Sequence, residues 1–273
     1  MHPSAPRPTI GVFDSGFGGL TVLKQLVALI PAADYLYFGD TARLPYGSKS
    51  VETVAKYAVE ATHFLEEQGA TFLVIACNTA TALALDQITR AAKVPVIGVV
   101  EPGAEQASSA SRTRRVVVIG TEATVSSHAY LKALERRGIA AREKACPLFV
   151  PLVEEGWVEH PVTEHVAQIY LKDAFGDGFH DADVLVLGCI HYPLIKPLLH
   201  RVAPATVSVV DSAHSTANAV AQKLGAIHAA AAPERHSPRL KFFATDSVEK
   251  FRRLGPSFLG HAVNAVEHVD LKE

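Results

Sequence analysis

Short, nearly unbroken apolar runs recur along the chain at Ile10–Phe13, Tyr35–Phe38, Phe72–Ala76, Val94–Val99, Val116–Ile119, Val184–Leu187 and Val207–Val210. Runs this short, without polar alternation, predict strands covered on both faces. Between most of them lie stretches in which apolar side chains return every third or fourth position. The clearest is Ser50–Gln68, where Val51, Val54, Tyr57, Ala58, Ala61, Phe64 and Leu65 form one stripe and Gly69 stands at a C-terminal cap position. Strands alternating with helices predict an α/β fold with mostly parallel sheets flanked by helices. Ligands of such sheets bind at the carboxyl ends of the strands.

The pattern also echoes itself. FLVIACNT at 72–79 and VLVLGCIH at 184–191 share one plan: an aliphatic strand, a small residue, a cysteine, then a turn toward a helix. Ile10–Gly16 and Val117–Ala123 form a second pair, with polar groups at the strand's carboxyl end. Two pseudo-symmetric halves facing each other would bring Cys77 and Cys189 to one cleft. Gly98–Gly103 reads as the crossover into the second half and Val210–Ser212 as the return. The expected units are therefore 1–98 plus 211–273, carrying Asp14 and Cys77, and 99–210, carrying Cys189 and His191.

Composition narrows the classes of function. The chain has 273 residues, 48% hydrophobic and 20% charged, which is enough to bury real cores. A formal net charge of -2 gives no electrostatic reason for a polyanion partner, since nucleic-acid binders usually carry a basic face, so none is expected. The N-terminal segment has no apolar targeting core, and no apolar run reaches the roughly 18 residues of a spanning helix. A soluble, cytoplasmic protein with no membrane partner is expected. The three cysteines cannot form an even disulfide framework, and none lies in a CxxC or zinc-like spacing.

A free cysteine is most often a small buried hydrophobe. Cys77 and Cys189 differ from that default because each follows a strand directly and precedes an expected helix start, where thiol pKa falls. Asn78 and Thr79 can cap one helix and Pro193 can enter the first turn of the other. Cys146 has no such setting and reads as structural. Asp14–Gly19 closes the first strand, but it lacks the Gly-Lys-Ser/Thr of a phosphate loop, and Thr21 breaks a GxGxxG reading. Asp14 is either a helix cap or a functional carboxylate. The loop Gly39–Gly47 is either a plain turn or a source of donors from Tyr46 and the Gly47 amide. His191, beside a strand-end cysteine, can orient or protonate substrate groups. Glu154 and Glu155 read on composition as an exposed acidic turn. His160 and His165 lack metal-site spacing, so no metal is expected, and no lysine recommends a pyridoxal phosphate site.

Together these residues resemble the glutamate racemases of the cofactor-independent aspartate/glutamate racemase family. The resemblance runs from Gly11–Gly19 through Tyr37–Asp40, Pro45–Gly47, Ala76–Thr79, Cys146–Pro147, Pro151–Glu154 and Gly188–Pro193 to Asp211–Ser212, with order and spacing kept over nearly the whole chain. It implies two α/β domains enclosing the substrate, with no cofactor and commonly a homodimer. It also implies acid/base roles for Cys77 and Cys189, assisted by Asp14, His191 and Glu154. Asp14, Ser15, Pro45, Tyr46, Gly47, Asn78, Thr79, Thr121, Ile190 and His191 would contact glutamate. The implied role is interconversion of L- and D-glutamate for peptidoglycan.

Two thiols suit that chemistry, because inverting Cα requires a base on one face and an acid on the other. By the family's pattern Cys77 takes the proton from D-glutamate and Cys189 from L-glutamate. One departure stands out: the family usually has threonine where this chain has Ile190, so a hydroxyl donor worth roughly 0.5–1.5 kcal/mol is absent. An aspartate or hydantoin racemase, a Cys/His hydrolase using Cys189 and His191, and a non-catalytic carboxylate-binding protein are the alternatives.

Overall fold

The computed structural model describes residues 7–228, 237–263 and 265–271. Residues 1–6 of the N-terminal segment, and 229–236, 264 and 272–273 of the first expected unit, lie outside the described residues. The strands are β1 (Thr9–Asp14), β2 (Asp34–Gly39), β3 (Phe72–Ile75), β4 (Val96–Gly98), β5 (Arg115–Gly120), β6 (Ala140–Ala145), β7 (Val184–Gly188), β8 (Ser208–Asp211), β9 (Leu240–Ala244) and β10 (Glu267–His268). They form a six-stranded sheet in the order β10-β9-β2-β1-β3-β4 and a four-stranded sheet in the order β6-β5-β7-β8. Every pairing is parallel.

All seven runs read from the sequence are strands, with shifted ends. The run at Val94–Val99 shortens to β4 because Pro95 has no N–H to give a ladder and Val99 already turns into a helix. Three strands had no apolar signature. β6 reads AAREKA on an outer edge, β9 reads LKFFA with Lys241 breaking its apolar run, and β10 has only two residues.

The helix over Ser50–Gln68 spans Val51–Glu67, and the Ser50 side chain accepts a hydrogen bond from the Thr53 amide. Val54, Ala58, Ala61 and Leu65 are buried, while Val51, in the first turn, stands exposed. Gly69 ends the segment at φ +96°, a left-handed conformation that glycine adopts freely.

The chain passes between sheets twice. Helix Val100–Ala110 connects β4 to β5, and helix Ser212–His228 follows β8 and precedes β9 of the first sheet. One apolar cluster is shared by both sheets, running from Ile10, Val12 and Val74 to Val117, Ile119 and Leu185. No helix among the described residues is long and apolar enough to cross a membrane.

Candidate active site

The carboxyl ends of β1, β2, β3, β5 and β7 supply the walls of one cavity of about 200 Å³. Ser15, Pro45, Tyr46, Gly47, Cys77, Asn78 and Thr79 line it from the first sheet, and Thr121, Cys189, Ile190 and His191 from the second. Asp14 and Glu154 are not in the lining but stand behind it. Leu44, Ser48, Glu122, Pro147, Val150 and Pro151 line it too, beyond the site read from the sequence.

Cys77 is the N-cap of helix Asn78–Ala91, and its Sγ lies 3.4 Å from the Ala80 amide and 3.5 Å from Ser15 Oγ. The expected lowering of its pKa at this helix start does not occur. Burial, followed by the nearby charge of Asp14, pushes the thiol up to about 12. Removing a thiolate's water outweighs the amides at the helix end. The setting of Cys189 also differs from expectation: Pro193 lies in a 3-10 turn, Tyr192–Ile195, and the α-helix begins only at Lys196. Its polar neighbour is His191, with Sγ 4.0 Å from Nδ1.

His191 is buried, and its Nε2 lies 3.3 Å from Glu154 Oε1, an ion-pair distance whose angle is poor for a hydrogen bond. Burial opposes charging the ring, yet Cys189 and Glu154 together raise its pKa to about 10. Burial likewise opposes ionisation of Glu154, but His191 and Lys250 hold its carboxyl down at about 2. The exposed acidic turn therefore holds only for Glu155. Glu154 closes helix Phe149–Glu154 with its side chain turned inward between His191 and Lys250.

Asp14 is fully buried. Its Oδ2 accepts from the amides of Gly16 and Gly19, each at 3.0 Å, and from Tyr37 Oη at 3.3 Å. Those bonds hold the turn after β1, but Asp14 is not the cap of the helix Leu20–Leu29, whose N-cap is Gly19 with no side-chain bond, and Oδ1 has no hydrogen-bond partner among the described residues. Burial raises its pKa, against the pull of the Gly19 amide and the His191 charge. The Tyr46 phenol is committed elsewhere: it donates to Asp40 Oδ2 at 2.5 Å, and Thr245 Oγ1 donates to the other oxygen at 2.8 Å. The ring and backbone of Tyr46, rather than its hydroxyl, are left for the cavity.

Hydroxyls and amides join the two sheets. Thr79 Oγ1 lies 3.0 Å from Thr121 Oγ1 and 3.3 Å from Thr124 Oγ1, and Asn78 Nδ2 donates to Tyr130 Oη at 2.8 Å. Nothing local marks Thr124 and Tyr130 for the site, since the Thr79 and Asn78 side chains they meet there are more than 40 residues away. Gly47 lets the loop approach closely, because a Cβ there would sit 3.0 Å from that of Thr121. Among the described residues the lining includes no lysine or arginine; its polar groups are hydroxyls, amides, His191 and the carboxylate of Glu122.

The remaining candidates have structural roles. Cys146 is buried away from the cavity, with its Sγ directed at the Lys144 carbonyl. His160 caps helix Pro161–Ala174 and stacks on Trp157, and His165 is exposed. No cluster of three or more His, Cys, Asp or Glu side chains suited to a metal occurs among the described residues.

Two parallel sheets, each bringing one thiol to a shared cavity of amino-acid size, define the class: a two-lobed α/β protein with paired cysteines. The chain matches the Asp/Glu/Hydantoin racemase family over residues 10–220, and it belongs to that family. A relative named glutamate racemase, from Koribacter versatilis (strain Ellin345), is 63% identical over 98% of this chain and 99% of its own length. The crystal structure of glutamate racemase from Francisella tularensis in complex with D-glutamate matches with a TM-score of 0.88 at 37% identity. It covers 97% of this chain and 98% of that one. The Thermus thermophilus glutamate racemase, in complex with β-chloro-D-alanine, matches with a TM-score of 0.87 at 46% identity over 97% and 98% of the two chains.

Proposed function

We propose that this chain is a glutamate racemase that interconverts L- and D-glutamate without a cofactor, using Cys77 and Cys189 as the acid/base pair. The observation that carries the proposal is that two cysteines from different sheets line one small cavity whose polar lining also includes the hydroxyls and amide of Ser15, Asn78, Thr79 and Thr121, and His191. The names of the full-length relatives, and the D-glutamate in the Francisella structure, point to the same substrate.

In this reading one thiolate removes the Cα proton from one face while the opposing thiol returns a proton to the other. The Cα–H is a very weak acid, so the developing carbanion needs electrostatic help. Asn78, Thr79, Thr121, Ser15 and the Gly47 amide supply hydrogen-bond donors to the two carboxylates. His191, held by Glu154, stabilises charge at Cys189, and Asp14 acts near Cys77. The units 1–98 plus 211–273 and 99–210, a homodimer, a cytoplasmic setting and supply of D-glutamate for peptidoglycan complete the proposal.

Deuterium wash-in from D₂O tests it. Solvent deuterium is expected at Cα of glutamate from either enantiomer, and at a lower rate or not at all with aspartate. Full racemisation by the Cys77→Ser plus Cys189→Ser double variant would overturn the two-thiol reading.

A further inference from the structure

Lys250 lies outside the cavity, yet it is joined through Glu154 to His191, which lines it. It belongs to helix Val248–Leu259, which follows β9 and so packs with the sheet that carries Cys77. Its Nζ lies 2.7 Å from Glu154 Oε2, a residue of the segment that carries Cys189. The other oxygen of the same carboxylate is the one 3.3 Å from His191 Nε2. The helix touches the pair a second time through Phe258, whose ring meets His191 edge-on at 5.5 Å. Lys250 itself is steadied over the Phe17 ring, 5.5 Å from its centroid.

We infer that Lys250 is a positioning residue for the Cys189–His191 couple, acting through Glu154. The inference rests on the racemase reading above. The Glu154 carboxylate is held on one side by a good ion pair and on the other by an off-line contact. With the lysine removed, water competes for the carboxylate, and the side chain gains by turning outward. His191 then loses the anion at Nε2 that steadies it in the charged form, and Cys189 loses its cationic neighbour. Cys77 has no such contact: its polar neighbours are Ser15 and the Ala80 amide, and the His191 charge reaches it only indirectly, through Asp14 behind them. The influence of Lys250 therefore falls chiefly on Cys189.

Ordinary racemisation cannot reveal a one-sided effect, because enantiomers are equal in energy and kcat/KM must change equally in both directions. An irreversible probe can. With 3-chloroglutamate, the base takes the Cα proton, the C–H electron pair forms the Cα=Cβ bond, and chloride leaves with the C–Cl pair. Each Cα configuration then reports only the base on its own face. The configuration whose chloride release is abolished by Cys189→Ser is the reporter for Cys189.

Lys250→Met is expected to slow release from that configuration about tenfold while changing the other by less than about twofold. Lys250→Arg should restore the rate to within about threefold, as retention of the positive charge requires. In a Glu154→Gln background, Lys250→Met should add less than about twofold, because the lysine acts only through that carboxylate. Equal slowing of both configurations, no slowing, or full additivity with Glu154→Gln would overturn the inference. Wild-type protein that eliminates chloride from neither configuration and incorporates no deuterium into glutamate would instead overturn the racemase reading itself.

Discussion

The hydroxyl oxygens of Thr79 and Thr121 meet 3.0 Å apart, one from the helix after β3 and one at the end of β5, so the two sheets share a hydrogen bond at the cavity wall. Thr121 also caps the helix Glu122–Ser126, accepting from the Thr124 amide at 3.3 Å. Replacing Thr121 by valine is expected to raise KM for glutamate about 2- to 12-fold, the value of one ordinary hydrogen bond. Serine at the same position should restore it. Steady-state kinetics on the three proteins separate the lost hydroxyl from the added methyl.

Tyr46→Phe tests whether the phenol works in the cavity or beneath it. Its hydrogen bond to the fully buried Asp40 means that removal leaves a buried carboxylate oxygen with one partner fewer. Stability is expected to fall by roughly 1–3 kcal/mol, with KM changed by less than about threefold. Urea unfolding together with kinetics decides it: a large rise in KM with unchanged stability would mean the phenol serves the ligand.

The buried His191 makes stability depend on pH in a defined direction. Its pKa rises from the usual 6.5 to about 10 in the folded chain, so folding favours the protonated ring. That stabilisation is complete below pH 6.5 and is lost as pH climbs toward 10, by at most about 1.4 kcal/mol per pH unit. Cys77, raised from 9.0 to about 12, adds a loss of the same sign above pH 9. Urea midpoints should therefore fall between pH 6.5 and 9, and His191→Asn should flatten that slope. A midpoint that stays constant in the wild-type chain would exclude a charged His191 in the folded state.

Ile190 presents an apolar surface at a cavity position and is almost fully buried. Ile190→Thr restores a hydroxyl beside Cys189 and is expected to raise kcat/KM for glutamate roughly 2- to 12-fold. An unchanged value would show that the hydroxyl is dispensable in this chain. The exchange also removes a buried methyl and replaces a methylene with a hydroxyl, so the variant should unfold at lower temperature.

The sequence carried the seven apolar strands because burial on both faces leaves a signal in each residue. It also carried the cysteines, since strand-end position is a local property. β6 stayed hidden because an outer-edge strand tolerates Arg142, Glu143 and Lys144, and β10 because two residues, Glu267 and His268, form no pattern. Glu154 read as exposed because its partners, His191 and Lys250, are remote in the chain and only the fold brings them near. The raised pKa of Cys77 was illegible for a similar reason. Helix position is written locally, whereas desolvation depends on everything packed around the sulfur.

The double passage between sheets also bears on how the protein is made. β5 to β8 follow one another in sequence, so their sheet can close soon after it leaves the ribosome. β2 must await β9: Tyr35 pairs with Leu240, and Arg239 grips Asp34 from 205 positions downstream. At about 5–20 residues per second, that interval is roughly 10–40 s of translation. Throughout it, the DYLYFG strand carries an uncovered edge, open to pairing with another chain until β9 arrives.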